Sequence, residues 1–158
     1  MKSVQMPLQT PLQISLGLLA MATIALMSTP SAGANVDGLW LHKGGGTLRI
    51  RNCGDGVCGT IASVSPQVDP ETGRPPTDKK NADPNQRNRP LVGVPVLMGM
   101  HPNGPGKWTG RLYNVEDGNT YTGHLIELGP DTIRLEGCAL FFCGGENLTR
   151  VKSTAATR

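Results

Sequence analysis

The sequence predicts an all-β fold, a single-domain antiparallel up-and-down β-barrel of about eight strands with one long proline-rich loop. Three observations carry this expectation. Short runs rich in Thr, Val, Ile, Tyr and Trp recur, separated by clusters of Gly, Pro, Asn and Asp. No long amphipathic helix is written into the chain after residue 34, and the 21 glycines suit a tightly bent sheet. Closing consecutive hairpins into a barrel removes exposed edges. Eight strands then leave an interior that side chains just fill, or one that holds a single small ligand.

The chain begins with Lys2, an apolar run from Ile14 to Met27 and the small residues Ser31-Ala32-Gly33-Ala34. A basic start, a short apolar segment and an A-x-A-like site describe a secretory signal peptide over 1–34. The run is shorter than the ~20 residues that span a bilayer. A periplasmic or secreted protein, cleaved near Ala34, is therefore expected, with a barrel domain over 35–151 and a disordered tail over 152–158. Cleavage removes Lys2 alone among the charges, leaving 14 basic against 12 acidic residues. That balance is an ordinary surface, so neither nucleic acid nor a transmembrane segment of the mature protein is expected.

Val36 to His42 reads as the first strand, closed by Gly44-Gly45-Gly46. Thr47 to Arg51 alternates, with Leu48 and Ile50 on one face, the period of a half-buried strand. Cys53 to Cys58 forms a turn, and Gly59 to Val64 returns. From Ser65 to Pro90 six prolines punctuate a polar stretch, which excludes a central strand. Within it, Asp83 before Pro84 reads as an N-cap followed by the first residue of a short helical turn. Val92 to Met100 is apolar, and Pro95 marks it as an edge or bulged strand. Lys107 to Leu125 is a hairpin about Asp117-Gly118. Asp131 to Cys138 alternates with Ile133 and Leu135 inward, Cys138 to Cys143 turns, and Glu146 to Val151 is the last strand.

Four cysteines in an exported protein read as disulfides, and four permit three pairings. Loop-closure entropy favours a long-range pairing. Hairpin geometry favours the local bonds Cys53–Cys58 and Cys138–Cys143, because a hairpin holds its own ends within bonding distance. The local pairs are the expectation.

Arg87 lies four residues after Asp83, spacing that suits an ion pair on a helical turn and gives both a structural role. Pro90 forces Arg89 extended and away from that turn, so Arg89 is expected at the barrel mouth, ready to take an anion in bidentate fashion. Trp108, Tyr113 and Tyr121 are expected to line a ligand mouth. His42, His101 and His124 are far apart, with no carboxylate at metal-ligand spacing, so no metal site is expected. No G-x-S-x-G, H-E-x-x-H or phosphate-cradling loop is present. No catalytic residue and no cofactor are expected.

The motifs Asp83-Pro84…Arg87…Arg89-Pro90-Leu91…Gly93, Trp108-Thr109-Gly110 and Tyr113-Asn114…Gly118…Tyr121 resemble the exported bacterial family called domain of unknown function 2147. Cys53-Gly54…Cys58-Gly59 and Thr149-Arg150-Val151 extend the resemblance over the whole mature chain. The sequence departs from the family pattern at Leu148, often an aromatic, and at Arg111, often Gly. A second likeness is to lipocalin-like barrels. Gly38-Leu39-Trp40 resembles their G-x-W, and Arg150 resembles the arginine that packs across that Trp. This gives Trp40 and Arg150 structural roles. Together these readings imply a carrier for a small amphiphilic or anionic molecule, with an envelope interaction module using the proline-rich loop as the alternative. A hydrolase or isomerase is disfavoured.

Overall fold

A computed structural model describes residues 35–152. The expected signal peptide over 1–34 and the expected tail beyond residue 152 lie outside the described residues. Eight strands follow in order: β1 (Gly38–Leu41), β2 (Thr47–Cys53), β3 (Gly56–Ser63), β4 (Pro95–Pro102), β5 (Lys107–Asn114), β6 (Asn119–Gly129), β7 (Thr132–Ala139) and β8 (Phe142–Arg150). Each is hydrogen-bonded antiparallel to the next. β8 returns to β1 through Trp40 opposite Arg150 and Leu41 opposite Thr149, closing the barrel. The expected up-and-down architecture is the one observed.

Local geometry refines the sequence reading in three places. Of the two expectations for β4, the bulged strand is the one observed, with bulges against β3 and β5, and the closed barrel pairs it on both sides so that it is not an edge. Pro95 is tolerated because it is the first residue of the strand, where a missing N–H costs least. The β5–β6 hairpin uses the four-residue turn 115–118, and Gly118 ends it at φ 78°. Glycine is required there twice over, because a Cβ would collide with the Lys80 carbonyl of the long loop. The cysteines lie within strands rather than in turns. Both bonds are the local ones, Cys53–Cys58 and Cys138–Cys143. Cys138 opposes Cys143 directly, with Cα atoms 4.1 Å apart, whereas Cys53 opposes Gly56 and reaches Cys58 diagonally at 5.8 Å.

The inward faces of the strands form one core that is unevenly filled. At the end formed by the β2–β3, β4–β5 and β6–β7 turns, Trp40, Ile50, Leu97, Met100, Leu125 and Ile133 are all fully buried. The Trp40 indole N–H donates to the Val36 carbonyl at 2.8 Å, and the Arg150 guanidinium lies 4.2 Å from the Trp40 ring centroid. Arg150 then ties this end to the entering chain. Its Nε donates to Pro130 O, Nη1 to Asp37 O and Nη2 to Asn35 O, each at 2.7 Å. This is the closed end.

Candidate functional site

At the opposite end the interior opens into a cavity of about 790 Å³. Its apolar wall comes from inward positions of successive strands, Leu48, Ile61, Val96, Leu112, Leu135 and Leu148. Space is made by glycines on the same wall, Gly137 and Gly144, which face each other across β7 and β8. A Cβ at Gly144 would meet nothing within 4 Å. At the rim His42 and Glu146 pair, with His42 Nε2 2.6 Å from Glu146 Oε1. The Gly44 N–H donates to His42 Nδ1 at 2.8 Å, so the imidazole carries its proton on Nε2 and donates it to Glu146. Glu146 Oε2 is buried and, among the described residues, accepts no hydrogen bond. That orphan acceptor beside an apolar cavity is the most chemically specific feature of the open end, because an unsatisfied buried acceptor costs about 1–3 kcal/mol.

The long loop is organised by Asp78, fully buried against β5. Its Oδ1 accepts from the Tyr113 hydroxyl at 2.7 Å. Its Oδ2 accepts from Asn81 Nδ2 at 2.8 Å and from Arg89 Nε and Nη2 at 3.0 and 2.8 Å. Burial opposes ionisation of Asp78, but the hydrogen bonds from Tyr113, Asn81 and Arg89, aided by the Arg89 charge, outweigh it and hold the carboxyl below its ordinary range. Burial, then the hydrogen bond to Asp78, pushes the Tyr113 hydroxyl up. A ribbon of backbone bonds, Asp78 N–H to Arg89 O and Leu91 N–H to Pro76 O, closes the loop on itself.

Against this geometry the expected site residues separate. Arg89 does not await an anion at the mouth. Its guanidinium is engaged by Asp78 and by Gln86 Oε1 at 3.0 Å. Arg87 does not pair with Asp83 either. Its Nε donates to the Asn81 carbonyl at 2.8 Å. Asp83 instead caps the short 3-10 turn Pro84–Gln86 by accepting from the Asn85 N–H at 2.9 Å. Three residues are too few to bring an i, i+4 pair together. Trp108 packs in the core and does not border the cavity. Tyr113 and Tyr121 do border it, but both hydroxyls are committed, Tyr113 to Asp78 and Tyr121 to Asp117 Oδ2 at 2.7 Å. Trp40 and Arg150 lie at the closed end. Among the described residues no group of His, Cys, Asp and Glu is placed to hold a metal ion.

Sequence reasoning weighed His42 only as a metal ligand and missed its pairing with Glu146, although a signal was available. Once Trp40 and Arg150 are inward, the strand period of two places His42, Leu148 and Glu146 inward as well. Asp78 offered no such signal, because it stands in an aperiodic loop.

Comparison with known proteins agrees with the fold. A family model described as "Uncharacterized protein conserved in bacteria (DUF2147)" matches residues 38–150. Among solved structures, the Helicobacter pylori protein HP1028, described as belonging to the lipocalin family, superposes with a TM-score of 0.62. The match covers 75% of this chain and 84% of that one at 18% identity, and is a likeness of fold, lipocalin-like in kind. A search of the curated proteins gives no match.

Proposed function

We propose that this chain, which belongs to the bacterial DUF2147 family, binds a small amphiphile in the open end of its barrel and carries it rather than transforming it. The observation that bears this reading is a cavity of about 790 Å³ with an apolar wall and, among the described residues, one buried side-chain acceptor without a partner, Glu146 Oε2. That volume is of the size that small-molecule sites have. The apolar part of a ligand lies against Leu48, Leu112, Leu135 and Leu148, and its head donates a hydrogen bond to Glu146. An amine or hydroxyl head fits this chemistry. A purely anionic ligand has lost its expected partner, since Arg89 is bound to Asp78. Two disulfides fit a protein that works outside the cytoplasm, in the periplasm or beyond.

The test compares decylamine, decanol and decanoate binding to the wild type and to Glu146→Gln. Decylamine is expected to bind best, and its advantage over decanoate to shrink about tenfold or more in the variant, the size of a charge-assisted hydrogen bond. Tightest binding of decanoate by the wild type, or a preference order unmoved in the variant, would count against the reading.

A further inference from the structure

The barrel carries the same device at both ends, a hairpin clamped by a disulfide near its tip, and the two tips differ completely in chemistry. At the closed end Cys53–Cys58 clamps a turn of Gly54 and Asp55, with Asp55 largely exposed and 3.3 Å from His101 Nδ1. At the open end Cys138–Cys143 clamps Leu140-Phe141-Phe142, whose relative exposures are 94%, 95% and 82%. Residues 137–145 contain no charge at all. Isolated apolar residues on a surface need no explanation, but three adjacent large ones at a protruding tip do.

The fold does not ask for this tip. Ala139 pairs with Phe142, leaving a two-residue turn whose first position is Leu140 at φ 55°. Gly, Asn or Asp normally takes such a position, and a branched apolar residue there is strained. Leu140 therefore occupies a place where the backbone prefers glycine and where its side chain touches almost nothing.

We propose that the clamped Leu140–Phe142 tip inserts into a lipid surface, setting the mouth of the cavity against it. The tip is convex and nearly bare, a shape that a fluid bilayer accommodates without a preformed pocket. Ladder bonding up to Ala139 and Phe142 leaves few backbone groups to desolvate on entry. Apolar side chains on such an element reach the boundary between headgroups and acyl chains. Gly137 and Gly144, at the base of the same hairpin, line the cavity, so insertion brings a reservoir of amphiphiles to its mouth. Docking to lipid stands without the carrier reading; only the link to the cavity rests on it.

The experiment is flotation with phosphatidylcholine vesicles in high salt, where charge attraction is screened. The wild type is expected to float, and each aromatic removed (Phe141→Ser, Phe142→Ser) to weaken partitioning about tenfold or more. Leu140→Gly is expected to bind more weakly while melting no lower than the wild type, because it relieves the turn. The triple variant that combines Leu140→Gly, Phe141→Ser and Phe142→Ser should still bind decylamine in lipid-free buffer as the wild type does, which separates this proposal from the carrier reading. A wild type that stays with the soluble fraction would overturn the proposal. So would a triple variant that floats equally well, or tip residues whose removal instead abolishes self-association in lipid-free buffer.

Discussion

At the closed end of the barrel, Trp40 is fully buried beneath Arg150, whose guanidinium satisfies three separate backbone carbonyls. At the open end the same eight strands turn Gly137, Gly144, Leu135 and Leu148 toward one another and leave about 790 Å³ between them. The difference lies in residue size at equivalent inward positions and in how polar atoms are treated. Each guanidinium nitrogen of Arg150 donates to a carbonyl, whereas among the described residues Glu146 keeps one buried oxygen without a partner. Packing and full hydrogen bonding concentrate stability at one end, so the other is free to be hollow.

The largest effect is expected from breaking the closed end. Arg150→Ala removes the cation–π contact and three charge-assisted hydrogen bonds. A loss of about 4 kcal/mol is expected, read as a fall in Tm of more than roughly 10 °C. Arg150→Lys should recover little, because an ammonium cannot reproduce the planar fork. A variant that melts like the wild type would show that stability does not reside at this end.

The loop gives the next largest effect, and in an order opposite to the one its sequence suggests. Arg89→Ala strips a buried carboxylate of its charged partner and should cost about 3 kcal/mol, whereas Arg87→Ala loses one bond to the Asn81 carbonyl and should cost about 1 kcal/mol. Equal effects would mean that Asp78 does not organise the loop. The same network sets a pH window. Asp78 titrates below its ordinary 3.8 in the folded protein, so its contribution is complete above that pH and lost as pH falls through the lower folded value. Tyr113 is shifted up from 10.0, so its contribution holds below that pH and is lost as pH rises through the folded value. Loop docking, followed by hydrogen exchange at Asp78 and Leu91, should therefore be flat from about pH 4 to about pH 10.

The barrel was legible because its signals are local. Leu48 and Ile50, or Ile133 and Leu135, declare their face by alternation within a few residues, and Cys138 and Cys143 are held together by their own hairpin. The site was less legible because its pairs are not local. His42 meets Glu146 only after the whole barrel closes, and Asp78 finds Arg89 across a ribbon of the loop with no period to betray it. The Arg87 reading failed for a related reason. It assumed a full α-helical turn after Asp83, where the chain makes only the 3-10 turn Pro84–Gln86. Leu140 shows the opposite case, a residue whose meaning emerges only from its φ angle and exposure.

The smallest expected change in stability comes with the most direct test of the hollow end. Gly144 lines the cavity, has no strained φ, and has open space where a side chain would go. Gly144→Leu should leave stability within about 0.5 kcal/mol while filling the space a ligand needs. Isothermal titration of decylamine into both proteins decides the matter. One-to-one saturable binding to the wild type is expected, with at least roughly tenfold weaker binding to the variant and Tm unchanged. Equal affinity in the two proteins, or no binding to the wild type, would contradict it.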